Sequence, residues 1–193
     1  MDKQQNKSEL RKLYRRQRAD RFNTESWLHI LSATELKNAT NVASYISYEF
    51  EPETSDVNQR LIADGKKVFL PRLLENNDIQ WVSWNGSSEN LTKVEKIYEP
   101  IGDAVEVELD VIILPALHVD RMGNRLGQGG GSYDRALSRS KAFKIALLHY
   151  GELTSEILPI QPHDEKIDAA ATPEIVVRFK FVKVSRLRAI TTR

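Results

Sequence analysis

The chain has 193 residues, 40% of them apolar and 28% charged, the composition of one globular domain with a sizeable core. A net charge of +1 argues against a broad nucleic-acid surface, and the lack of cysteine excludes disulfides, thiolate catalysis and Cys-type zinc sites. No apolar run is long enough to cross a membrane and Met1–Ser8 is polar, so a cytoplasmic protein without a membrane partner is expected.

Lys7–Phe22 is predicted as a helix, because Leu10, Leu13 and Tyr14 fall at i, i+3 and i+4. Lys7, Arg11, Arg15 and Arg18, spaced four, four and three apart, share the face beside that apolar stripe. Such a row is either a solvated helix face or a set of cations that folds back onto bound phosphate. Asn23 or Thr24 is expected to cap a second helix reaching about Lys37. Val42–Ser47 reads as a strand from its β-branched and aromatic content, with the acidic loop Glu49–Glu53 behind it. Thr54 or Ser55 caps a helix carrying Val57, Leu61 and Ile62, which Gly65 ends.

Val68–Leu70 is a short strand expected to close at Pro71, and Ile79–Trp84 is another, stopped by Asn85-Gly86. Val111–Leu114, Ile145–Leu148 and Ile175–Val177, the last extending in one reading to Val184, complete the strands, and a helix begins near Ser132. Alternating strands and helices indicate an α/β layered sandwich with a mixed, partly parallel sheet. Ligands of such sheets bind beyond the carboxyl ends of the strands, which nominates the loops after Ser47, Leu114 and Tyr150 as one site.

Five of the nine glycines fall between Gly123 and Gly131, after the apolar Val111–Leu114 and before the expected helix. Strand, glycine loop and helix start aim backbone N–H groups at an anion, with Arg121, Arg125 and Arg135 around them. The run is neither a P-loop, since no lysine lies between Met122 and Ser140, nor a dinucleotide fingerprint, since Ser132 stands where the third glycine belongs. On its own it is a ligand cradle or a tightly packed turn. Asp134 suits the first turn of any helix, while Asp164 and Asp168, four apart, share a helical face or are loop acids. Hard carboxylates near phosphate suit Mg²⁺. His29, His118, His149 and His163 show no metal-ligand spacing.

The ordered block Leu114-Pro-Ala-Leu117, Asp120 and Gly123–Asp134 resembles the 5-formyltetrahydrofolate cyclo-ligase family, also called methenyltetrahydrofolate synthetases. Lys7-Ser-Glu-Leu-Arg11, Glu51-Pro-Glu-Thr54, Leu70-Pro-Arg72, Glu99-Pro100 and Pro162-His-Asp164 extend the likeness over residues 7–178. The resemblance implies one domain over 1–193, in a fold allied to the sugar-phosphate isomerase and CoA-transferase sandwiches, with 180–193 a basic extension. It implies ATP- and Mg²⁺-dependent conversion of 5-formyltetrahydrofolate to 5,10-methenyltetrahydrofolate, by a monomer whose partner is this small molecule.

Residue by residue, the resemblance assigns Lys7, Arg11, Arg125, Leu126, Gly127, Gln128, Gly129, Gly130, Gly131, Ser132 and Tyr133 to ATP, with Lys7, Arg11 and Arg125 catalytic. Ile46, Glu51 and Gln128–Ser132 would touch the folate, and Asp134 and Asp164 the metal. The chain departs from the family at Ser132, where a second tyrosine is usual. Two alternatives remain: a relative that uses ATP or a phosphorylated small molecule with a drifted folate pocket, and a folate-binding protein without turnover.

Overall fold

The structure, a computed structural model, describes residues 3–21 and 24–180. In chain order the elements are α1 (Lys3–Arg21), α2 (Thr34–Asn38), β1 (Asn41–Ala43), α3 (Ser55–Ala63), β2 (Lys67–Leu73), β3 (Ile79–Trp84), β4 (Leu91–Val94), β5 (Ile97–Pro100), β6 (Val111–Pro115), β7 (His118–Asp120), β8 (Arg125–Leu126), α4 (Ser132–Ser138), β9 (Phe143–Leu147), β10 (Leu153–Thr154), β11 (Ala169–Ala171) and β12 (Val176–Arg178). Seven strands form one sheet in the order β12-β11-β9-β6-β1-β2-β3. The five inner strands run parallel, and β3 and β12 pair antiparallel at the edges.

β6 explains why the sheet is covered on both faces. Val111 and Ile113 point into one apolar cluster while Ile112 and Leu114 point into the other, all four essentially inaccessible. Trp27, Ile30 and Leu36, with Val57 and Leu61 of α3, fill the first cluster. Leu137 of α4 packs in the second, giving the α/β sandwich expected from the sequence. α3 ends as its sequence directs: Gly65 takes φ +78°, its N–H donates to Ile62 O, and Lys66 N donates to Leu61 O, the Schellman arrangement.

Several boundaries differ from the sequence expectations. The helix expected from Asn23 or Thr24 to Lys37 is two pieces, a 3₁₀ turn over Leu28–Ser32 and α2, joined by an extended Ala33 at ψ 139°. Ile30 and Leu36, six residues apart, would point away from each other on one unbroken helix, and the break lets both reach the core. The Trp27 indole N–H also pins the approach to that turn by donating to Leu148 O at 3.1 Å.

The strand expected over Val42–Ser47 stops at Ala43. The Tyr45 carbonyl accepts from Thr54 Oγ1 at 2.6 Å and Asn58 Nδ2 at 2.9 Å, so the start of α3 replaces a neighbouring strand. Pro71 does not close its strand, because β2 continues to Leu73. The Leu73 N–H turns away from β3 to Glu99 Oε1, so Pro71, two residues earlier, lacks a donor only where the ladder needs none. The hairpin β4–β5 was not anticipated from sequence, because β4 is mostly exposed and its Thr-Lys-Val run carries no buried stripe. Past Lys180, the expected extension of the last strand to Val184 and the basic segment 180–193 lie outside the described residues.

Candidate functional site

A cleft of about 600 Å³ opens beyond the carboxyl ends of β1, β2 and β6. The loops after β1 and β6 both reach it, as the sheet topology requires. One wall is the glycine loop together with α1 and the segment around Asp164. The opposite wall is β2, β3 and the β4–β5 hairpin.

The basic row of α1 folds back onto the glycine loop. Lys7, 3% exposed, ion-pairs with the Asp164 carboxylate, whose Oδ2 also accepts Gln161 N at 2.6 Å. Arg11 Nε donates to Gly127 O at 3.0 Å. Arg15 grips Gln128 twice, at its side-chain and main-chain oxygens, at 2.9 and 2.7 Å. Arg18, buried, closes on Glu152 with two bonds of 2.6 and 2.7 Å and donates to Ala116 O. A spacing of four, four and three therefore fastens one helix face along the floor of the cleft. Burial, and next Arg15, lower the pKa of Arg11.

Two glycines make this floor possible. Gly131 takes φ +68° at the N-cap of α4, and a Cβ on Gly127 would stand 2.5 Å from Arg125 Nη1. Arg125 pairs with Asp134 at 3.0 Å, lies over the Tyr133 ring at 5.7 Å, and leaves its buried Nε without a hydrogen-bond partner. Asp134 Oδ1 also accepts Glu165 N at 3.2 Å, which draws the Asp164 segment against α4. Asp134 and Asp164 thus line one cleft, each held by a cation.

Glu51 differs from these acids. It is 5% exposed, its Oε1 has no hydrogen-bond partner, and it lines the cleft beside Ile46 and Tyr45. Burial pushes its carboxyl up to about 7, and the nearby Arg18 charge only partly opposes that.

The expected site residues fall together with one exception. Lys7, Arg11, Ile46, Glu51, Arg125, Gly127–Asp134 and Asp164 all line the cleft. Leu126 does not; its side chain is 1% exposed, and its carbonyl accepts from Leu117 N. The reason is the two-residue strand β8, which alternates Arg125 toward the cleft and Leu126 into the interior. Asp168 is a loop acid that accepts Lys144 N at 2.8 Å and stands outside the cleft. His118 stacks on Tyr14 at 3.5 Å, and no cluster of three or more His, Asp or Glu among the described residues is placed to hold a metal.

Sequence reasoning missed Leu73, Ile79, Ile97 and Tyr98 on the opposite wall. Their chain segments meet only through tertiary pairing, and Leu70-Pro-Arg72 and Glu99-Pro100 are the local signals there.

An α/β sandwich with a glycine-floored cleft, clustered cations on one wall and the buried Glu51 within has the form of a small-molecule site with an anion-binding wall. The chain belongs to the 5-formyltetrahydrofolate cyclo-ligase family, whose sequence model matches residues 2–173. It is 33% identical over 147 residues to the 5-formyltetrahydrofolate cyclo-ligase of Escherichia coli K12, covering 72% of this chain and 80% of that one. The cyclo-ligase of Mycolicibacterium smegmatis is 34% identical over 163 residues, 75% of this chain and 78% of the relative. Among solved structures, the 5,10-methenyltetrahydrofolate synthetase of Aquifex aeolicus superposes with a TM-score of 0.77 at 27% identity, covering 96% of this chain and 99% of the other.

Proposed function

We infer that this protein is an ATP- and Mg²⁺-dependent ligase that cyclises 5-formyltetrahydrofolate to 5,10-methenyltetrahydrofolate, releasing ADP and phosphate. The observation that carries the reading is one cleft holding Lys7, Arg11 and Arg125 on a glycine floor and, apart from them, a buried carboxylate whose Oε1 has no donor. Its setting is cytoplasmic and monomeric, with a small molecule as partner and neither nucleic acid nor membrane. No helix among the described residues is long and apolar enough to cross a membrane.

A formamide oxygen is a poor nucleophile and, unmodified, a poor leaving group. Transfer of the terminal phosphoryl group breaks its bond to the ADP oxygen and makes one to the formyl oxygen. N10 then attacks the formyl carbon and gives up its proton, and the carbon–oxygen bond breaks to release phosphate. Such transfers need alignment and charge stabilisation more than covalent help. Lys7, Arg11 and Arg125, with the backbone N–H groups of Gly127–Tyr133, hold and align the phosphates.

Asp134 and Asp164 would hold the Mg²⁺. They are hard oxygen donors that the Glu165–Asp134 hydrogen bond brings to one side of the cleft, and phosphate and water oxygens would complete the shell. When bound, the ion neutralises phosphate charge. Lys7 and Arg125 pair with those acids in the free protein and line the same cleft, where they would also reach phosphate.

Glu51 takes the pterin, because a carboxylate matches adjacent N–H donors and its Oε1 has none in the free protein. Incubating the purified protein with 5-formyltetrahydrofolate, ATP and Mg²⁺ should yield the methenyl product, followed by absorbance. A folded protein that binds ATP and makes no product refutes the assignment.

A further inference from the structure

The phosphate wall is crowded with paired charge, but the opposite wall carries an aromatic side chain with no structural duty. Tyr98 of β5 is 48% exposed, yet it lines the cleft together with Leu73, Ile79 and Ile97. No other ring stacks on it among the described residues. Of the other tyrosines at the cleft, Tyr45 is buried and its hydroxyl donates to Pro52 O at 3.1 Å, Tyr133 lies beneath Arg125, and Tyr48 belongs to the β1 loop beside Glu51 rather than to this apolar wall. On the glycine floor, Ser132 offers a hydroxyl and no ring face.

The sheet order fixes which part of a ligand Tyr98 meets. Passing along the sheet from β2 through β1 to β6 and β9, the cleft presents in turn the β2–β5 wall, Glu51, the glycine loop and the Asp164 segment. β5 is joined to β2 where Glu99 Oε1 accepts Leu73 N at 2.9 Å. Tyr98 therefore belongs to the wall built on β2, the strand next to β1, whose following loop carries Glu51. Glu51 is buried and Tyr98 half-exposed, so within the one cleft they line Glu51 offers an inner contact and Tyr98 an outer one.

We propose that Tyr98 is the stacking platform for the benzoyl ring of the folate and so a specificity-determining residue of this chain. The inference rests on the folate reading above. An aromatic face in an apolar wall favours a flat ring by offset stacking, and a phenyl side chain serves as well as a phenol.

The test is calorimetric binding of 5-formyltetrahydrofolate, of ATP, and of a formylated tetrahydropterin lacking the benzoylglutamate, to wild type, Tyr98→Ala and Tyr98→Phe. Tyr98→Ala should bind folate roughly fivefold to tenfold more weakly, and Tyr98→Phe within about twofold of wild type. ATP and the pterin fragment should bind all three proteins alike. Equal folate affinity in Tyr98→Ala, or a loss that falls on ATP or on the pterin fragment, overturns the role of Tyr98. A wild type that binds no folate overturns the functional reading itself, so the two failures are told apart.

Discussion

The two sides of the cleft meet their ligands in opposite states. On the phosphate side Lys7 and Asp164, and Arg125 and Asp134, already satisfy one another. On the folate side Glu51 is buried with an oxygen that accepts nothing, and Tyr98 presents an uncovered ring. Charges paired within the fold offset part of one another's burial cost, whereas burial of an acid with an unfilled oxygen raises its pKa. The first side holds its charges paired, and the second keeps an open acceptor.

The firmest way to break this division is at Arg18, which anchors α1 for both sides. Arg18→Ala leaves Glu152 buried without its cation and should cost about 3–5 kcal/mol of stability, measured by chemical denaturation. A loss confined to one substrate, with stability unchanged, would show that the two sides do not share this anchor.

Lys7→Ala comes next and should act on the phosphate side alone. A fall of ~10²–10³ in turnover is expected, with folate binding retained. Asp134→Asn should likewise lose Mg²⁺-dependent turnover while keeping its melting temperature, and normal turnover would return Asp134 to a helix-dipole role.

Glu51→Gln sharpens the contrast from the other side. It should weaken folate binding about tenfold or more and leave ATP affinity unchanged. The smallest effect is one of pH. The free carboxyl titrates near 7, and only its ionised form accepts two donors, so below that pH a proton must leave before the pterin binds. Folate affinity should fall as pH drops below 7, approach that of Glu51→Gln at low pH, and level off above 7. The Glu51→Gln profile should be flat over that range, and a parallel decline there would place the titration elsewhere.

The same contrast governs what could be read from sequence. The phosphate side lies in two contiguous segments, a helix with cations at helical spacing and a loop with five glycines, so both its elements and its meeting place were legible. Leu126 was swept in with that loop because contiguity hides the alternation of β8. Glu51 was reachable through its flanking Pro-Glu-Thr, although its isolation depends on burial that only the folded loop creates. The wall of Leu73, Ile79, Ile97 and Tyr98 comes from three strands, one of them in a mostly exposed hairpin without apolar periodicity. The sheet itself was legible because its inner strands are short, apolar and covered on both faces.

The central claim is that phosphoryl transfer on one side of the cleft is spent on the folate held by the other. Release of ADP, measured alongside methenyl product with and without 5-formyltetrahydrofolate, tests this most directly. The account predicts one ADP per methenyl product and almost no ADP when folate is left out. ADP released at the same rate in both conditions would contradict it.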